Sequence, residues 1–311
     1  MLKTLASLVF YARFLGPFST FGHRRRLAAR PAAPFDFRGQ RWCVTGASGG
    51  IGRAIVLGAL HGGAEVHALA RDAAKLEALR RDAGEGARRL HAVPLDLSRV
   101  AAAEAWAAHA PRFDVLVHNV GVMLHAHTLT SEGVETSFAT NLLVPFAMTS
   151  ALREAGALDA GSLIISMSSG GAYGAKLDLD ALEARDAAHH DGFMAYAQHK
   201  RAQVELTRWW NALGVSAPRA YAMHPGWVDT DGVRSALPQF RRVLGRWLRN
   251  AEEGADTALW LAATRPPPAS DGGLWLDRRL DTEHAFGFTR GGASAAALVD
   301  ALRVRLAGLG H

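Results

Sequence analysis

The chain has 311 residues, 49% of them hydrophobic, so it can enclose a sizeable core and is not a disordered polymer. Much of its net charge of +6 sits in short arginine runs, Arg24-Arg25-Arg26 and Arg241-Arg242. No nucleic-acid-binding motif accompanies them, so no nucleic-acid partner is expected and solvated surface charge is the plain reading.

Residues 1–22 open with an apolar run that Arg13 interrupts, too short to span a bilayer and without a small-residue cleavage site. Leu2, Leu5, Leu8, Val9 and Ala12 share one helical face. An amphipathic leader helix is expected, either packed on the body or in peripheral contact with a membrane surface. Residues 23–38 are rich in Arg, Ala and Pro, and Pro31 and Pro34 argue for a linker.

From residue 39 to residue 285 apolar strand-like runs (42–46, 64–70, 89–95, 113–119, 161–168, 219–225 and 272–276) alternate with helix-like stretches. The intervals are long enough for the crossovers that parallel strands need. A single α/β domain follows, a doubly wound parallel sheet with helices on both faces, the Rossmann fold. Residues 286–311 form a tail with an Ala-rich closing helix from Ala293 to Leu309. Cys43, the only cysteine, falls inside the first strand and reads as a core residue; no intrachain disulfide can form, and a reducing, cytoplasmic setting is expected, with membrane association open.

Directly after the first strand comes Thr45-Gly46-Ala47-Ser48-Gly49-Gly50-Ile51-Gly52, then a helix. Glycines suit this position because the turn is tight and the backbone must approach a pyrophosphate at the helix N-terminus. At the end of the second strand an acidic residue would bind a ribose 2′-hydroxyl, whereas arginine accommodates a 2′-phosphate. Arg71 stands there; Asp72, the competing residue, is placed to cap the next helix. NADP is therefore favoured over NAD. Asp96, in the turn with Leu97 after the third strand, is placed either to meet the adenine or to cap.

These residues, with those that follow, resemble the short-chain dehydrogenase/reductase family over roughly residues 39–280, and most closely its member-12-like branch, near the retinol-dehydrogenase-like proteins. The family's glycine pattern is matched by Thr45, Gly46, Gly50 and Gly52, and its Asn-Ala-Gly element by Asn119-Val120-Gly121, with valine for alanine. The resemblance implies a catalytic set of Asn141, Ser169, Tyr196 and Lys200, with Ser168 an adjacent rival for the serine. A free tyrosine titrates near pH 10, so a cation one helical turn away has a physical reason to be there. By resemblance Ser169 polarises a substrate carbonyl, Tyr196 moves its proton, Lys200 also holds the nicotinamide ribose, and Asn141 anchors a water leading from Lys200 to solvent.

The same resemblance assigns cofactor contacts to Gly46, Ser48, Gly50, Ile51, Gly52, Arg71, Asp96, Leu97, Asn119, Gly121, Tyr196 and Lys200. It assigns nicotinamide contacts to Pro225, Gly226, Val228 and Thr230 in HPGWVDT, where His224 reads as structural. Residues 170–195, longer than in compact members, form a lid or substrate wall, an insertion like that of enzymes acting on lipophilic alcohols, aldehydes and ketones. His125, His127, His189 and His190 lack partnering ligand spacing, and no metal is expected. The expected function is NADP(H)-dependent interconversion of a lipophilic carbonyl and its alcohol; the alternative is a non-catalytic NADP(H)-binding sensor or scaffold. Oligomeric state is left open.

Overall fold

Each of the seven apolar runs becomes a parallel strand: β1 (Arg41–Thr45), β2 (Glu65–Ala70), β3 (Leu90–Pro94), β4 (Val115–His118), β5 (Leu163–Met167), β6 (Arg219–Met223) and β7 (Leu274–Leu276). The computed structural model describes residues 12–28, 34–184, 186–267 and 273–310. Side chains alternate between two buried faces. Cys43, Leu69, Leu116 and Ile164 enter one core, while Val44, Ala68, Val117 and Ile165 enter the other. A sheet buried on both faces reads as unbroken apolar sequence, which is why these strands stand out.

The strand order is β3-β2-β1-β4-β5-β6-β7, with an eighth strand, β8 (Arg279–Asp281), at the edge beside β7. The winding reverses between β1 and β4, and the crevice at the carboxyl ends of those strands is where such sheets take their ligands. On the two faces lie α2 (Gly50–His61), α3 (Ala73–Asp82), α4 (Val144–Glu154), α5 (Gly192–Ala212) and α6 (Ala251–Thr264). Helix α7 (Ala295–Ala307) buries Leu298, Val299 and Leu302 in the core that holds Leu206 and Trp210 of α5. The tail thus covers the body, and Arg305 ties it to Glu183 at 2.7 Å.

The sheet also has an edge strand that the sequence does not announce. Strand β8 (Arg279–Asp281) pairs antiparallel with β7 through a turn in which Asp277 (φ 50°) and Arg278 (φ 60°) are both left-handed. Such tight hairpins favour glycine or asparagine at these positions. Here ion pairs offset the backbone strain: Asp277 bonds Arg249 and His23, and Arg278 bonds Asp256 at 2.5 Å.

The N-terminal segment departs from expectation in its boundary. Residues 12–18 are helical, and α1 (Thr20–Leu27), capped by Ser19, runs through the stretch expected to be a linker from residue 23. Phe14 and Phe18 are buried against Tyr173, with Phe18 also against His224 and Trp227. In the arginine run Arg24 and Arg25 stay exposed, Arg24 while pairing with Glu253, whereas Arg26 reaches in to the buried Asp277. From residue 12 the leader packs on the protein; Leu2, Leu5, Leu8 and Val9 lie outside the described residues. Among the described residues no helix is long and apolar enough to cross a membrane.

Candidate active site

At the carboxyl end of β1 the chain turns through Gly46, whose φ is +63°, and into α2. A Cβ on Gly52 would stand 2.2 Å from the Gly46 carbonyl oxygen, so only glycine lets the helix start this close to the turn. No side chain caps α2, and Gly49 occupies the cap position. Its first amides therefore lack a side-chain acceptor and face the crevice, with Ser48 and Ile51 in the same turn. The turn is braced from β4, where Asn119 Nδ2 donates to the carbonyls of Thr45 (3.0 Å) and Gly46 (3.1 Å).

Arg71, just past β2, is exposed, while the Asp72 carboxylate accepts from Lys75 N at 3.0 Å as the cap of α3. The Asp96 carboxylate accepts from both the backbone and the hydroxyl of Ser98, a local turn, and Leu97 beside it is buried.

Asn141 is fully buried in a π turn, residues Ala139–Leu143. Its carboxamide accepts from Val122 N and donates to Val122 O, both at 2.7 Å, which fixes the chain just after Gly121. A Cβ on Gly121 would meet Lys200 Nζ at 3.2 Å, so glycine here leaves room for the ammonium.

Tyr196 and Lys200 lie one turn apart on α5, whose N-terminus the Asp191 carboxylate caps. Lys200 Nζ is 5.4 Å from the centre of the Tyr196 ring and donates to Met167 O at 2.7 Å. Burial holds its pKa down to about 7, and also pushes the Tyr196 phenol above its ordinary value, against which a hydrogen bond from Ser169 works. The choice between the two serines is decided by partners. Ser168 Oγ is committed to the Lys200 carbonyl at 2.9 Å, which leaves Ser169 as the serine that meets Tyr196.

The segment after β6 forms the opposite wall. His224 Nδ1 accepts from Gly226 N at 2.7 Å, so Nε2 carries the ring proton; burial and the nearby Arg249 hold the pKa down to about 3. A neutral imidazole folded into its own turn is a structural residue. Arg249 donates to the Pro225 carbonyl (3.1 Å), Val228 is buried, and a Cβ on Gly50 would stand 3.2 Å from the Thr230 methyl. Thr230 Oγ1 caps the short helix Asp231–Ala236. Beside it Asp229 accepts from Arg234 and Arg241, which holds its carboxyl down to about 2 and pins the 231–244 segment over the crevice.

A family model for short chain dehydrogenases matches residues 40–178. Human dehydrogenase/reductase SDR family member 12 is 35% identical over 292 residues, 89% of this chain and 90% of that protein. The chain belongs to the short-chain dehydrogenase/reductase family. Mouse polyprenol dehydrogenase is 33% identical over 261 residues, 77% of this chain and 76% of its own. Among solved structures, the Pseudomonas aeruginosa RhlG/NADP active-site complex matches with a TM-score of 0.59 and 25% identity, over 81% of this chain and 96% of that one.

In this short-chain dehydrogenase/reductase residues 173–182 of the long segment 170–195 pack against the body, while residues 186–189 are exposed. Tyr173, Leu177 and Leu182 are buried, and Gln198 of α5 holds the backbone at Lys176 and Asp178. Its histidines serve the same packing: His190 meets the Leu124 carbonyl, and His127 reaches the Ala184 carbonyl from across the gap. His125 meets the Ala236 carbonyl and His189 bonds Asp186.

Two groups escaped the sequence reading. Glu65, His67 and His91 cluster where β2 begins, at the opposite end of the sheet from Tyr196, with Arg41 on the carboxylate. Strand register alone joins them, as His67 pairs with His91. The other is Gln203, buried beside Lys200, whose position one turn on from Lys200 was its only sequence signal.

Proposed function

We propose that this protein uses NADP(H) to interconvert a lipophilic aldehyde or ketone with its alcohol. The observation that carries the reading is the convergence of Ser169, Tyr196 and Lys200 on one crevice that the uncapped start of α2 also faces. The nicotinamide supplies the hydride when bound. The residues present suit a dinucleotide. Gly46, Ser48, Gly50, Ile51 and Gly52 would take its pyrophosphate, and Asp96, Leu97, Asn119 and Gly121 its adenosine half. Pro225, Gly226, Val228 and Thr230 would take the carboxamide, and Lys200 the ribose beside it.

In the reductive direction Ser169 donates a hydrogen bond to the carbonyl oxygen as charge develops there, and the Tyr196 hydroxyl delivers its proton to that same oxygen. Lys200 supplies the positive field that eases loss of the phenolic proton. In oxidation the proton returns from the alcohol to Tyr196. Lipophilic substrates suit the rim, where Phe193 and Met194 are about half exposed, Val243 is more so, and Trp227 packs edge-on against Phe240. The likeness to a polyprenol dehydrogenase accords with this. Purified protein should oxidise NADPH with at least one member of a panel of aldehydes, ketones, retinoids and steroids. Tight dinucleotide binding with no turnover across the panel would replace this reading with that of a non-catalytic binder.

For the cofactor, support comes from Arg71 exposed beside the crevice and from Asp72 being occupied as a cap. The expected result for Arg71→Ala is a drop in the NADPH-to-NADH ratio of kcat/KM by about 10- to 100-fold, the worth of charge-assisted hydrogen bonds to a phosphate. An unchanged ratio would remove Arg71 from this role.

A further inference from the structure

A buried ammonium needs acceptors, and the surroundings of Lys200 offer few. Nζ donates to the Met167 carbonyl at 2.7 Å and to Gln203 Oε1 at 3.3 Å, and among the described residues no carboxylate is paired with it. The titratable groups that face it are Tyr196 on its own helix, His199 beside it and His118 from β4. Burial holds both histidines down to about 4, so they are neutral at pH 7. Among the described residues Gln203 therefore provides the one side-chain oxygen hydrogen-bonded to the ammonium.

The far end of that side chain is equally committed. Gln203 Nε2 donates to the main-chain carbonyl of Asn141 at 2.8 Å, and the residue is 2% exposed. This arrangement has one direction. Turning the amide over would set an NH2 group against the ammonium and an oxygen against a carbonyl oxygen, two repulsions in place of two hydrogen bonds. The π turn at Ala139–Leu143 presents its carbonyl to α5, and Gln203 couples that carbonyl to Lys200.

We propose that Gln203 is a positioning residue that holds the Lys200 ammonium between Gly121 and Tyr196 by bridging it to the Asn141 carbonyl. The proposal rests on the reading of Tyr196 and Lys200 as a proton-transferring pair, but its geometry does not depend on any substrate. An acceptor on the charged form favours that form, so its loss lets the lysine shed its proton at lower pH. With Lys200 titrating near 7 in the chain without dinucleotide, even a modest change decides whether it is charged at neutral pH.

The test compares Gln203→Leu, which keeps the volume and removes the acceptor, with Gln203→Glu, which is isosteric and sets a carboxylate against the ammonium. Lys200 is followed by pH-dependent trace acetylation with mass spectrometry, a tractable measurement because Lys3, Lys75, Lys176 and Lys200 are the only lysines. The midpoint of Lys200 should fall by about one pH unit in Gln203→Leu and rise by a similar amount in Gln203→Glu. A purely structural role would lower stability in both variants and move neither midpoint; that result, or a shift of the same sign in both, overturns the proposal. If Gln203→Leu fails to fold, Gln203→Glu decides alone by whether its midpoint rises. Absence of turnover in the wild-type protein would count against the oxidoreductase reading and leave these midpoints to be judged by themselves. Where a substrate is found, the alkaline limb of kcat should move with the lysine in each variant.

Discussion

Tyr196→Phe is expected to lower kcat by about 10²- to 10⁴-fold, the range that a positioned general acid or base contributes. The phenylalanine ring keeps the face over which Lys200 Nζ lies at 5.4 Å, so dinucleotide affinity should change by no more than a few-fold. Stability should hardly move, because the hydroxyl lost is bonded to Ser169, itself only partly buried. Steady-state turnover, dinucleotide titration and a melting curve on the same preparation separate these effects. Turnover within tenfold of wild type would remove Tyr196 from proton transfer, and a large fall in melting temperature would make the loss of activity uninformative. Ser168→Ala is the matched control in the opposite sense: its hydroxyl serves the Lys200 carbonyl, so that variant should lose stability rather than chemistry.

The parts of this protein that were plain in the sequence are those whose cause is local. Strand β1 is apolar on both faces because both are buried, and Gly46 and Gly52 stand in the turn because a Cβ on Gly52 would collide with the Gly46 carbonyl. Asp72 caps a helix where a short acidic residue precedes a helical run. What could not be read depends on distant residues. Strand β8 follows a Leu276-Asp277-Arg278-Arg279 stretch with no turn-forming glycine, and its left-handed turn is held by Arg249, His23 and Asp256 from elsewhere in the chain. Arg26 reads as surface charge, like its neighbours, until the fold supplies the buried Asp277. Gln203 is one more polar residue on a long helix until a π turn sets a carbonyl beside it. At the active site the order of Asn141, Ser169, Tyr196 and Lys200 was legible, but the division of labour between Ser168 and Ser169 waited for their partners.

The largest loss of stability is expected from Arg249→Met, because this side chain joins three segments that sequence keeps far apart. It is 1% exposed and grips Asp277 with two hydrogen bonds, at 2.7 and 3.0 Å. It also donates to the carbonyls of Pro17, Phe18 and Pro225, and so ties the leader and the Pro225-Gly226 turn to the β7–β8 hairpin. Methionine has similar length and no donors. It leaves the buried Asp277 carboxylate with His23 and Arg26, and takes this donor from the carbonyls of Pro17 and Pro225, while the Phe18 carbonyl keeps Trp227 N; the change costs about 3–5 kcal/mol. For a domain of this size that is a fall in Tm of about 10 °C.

The pH dependence identifies the cause. Against burial, the hydrogen bond from His23 and the charge and hydrogen bonds of Arg249 hold the Asp277 carboxyl well below its ordinary value, so its contribution to wild-type stability is present above pH about 4 and is lost as pH falls through the depressed folded value. Removing the guanidinium leaves burial less opposed and raises that folded value. The stability gap between wild type and variant is therefore widest at neutral pH and narrows as the carboxylate protonates below pH about 4. A gap that stays constant between pH 7 and pH 3 would assign the loss to packing instead of charge. Because Phe18 lies against both His224 and Trp227, the variant should also weaken dinucleotide binding more than its remote position suggests, through a loosened Pro225-Gly226 turn.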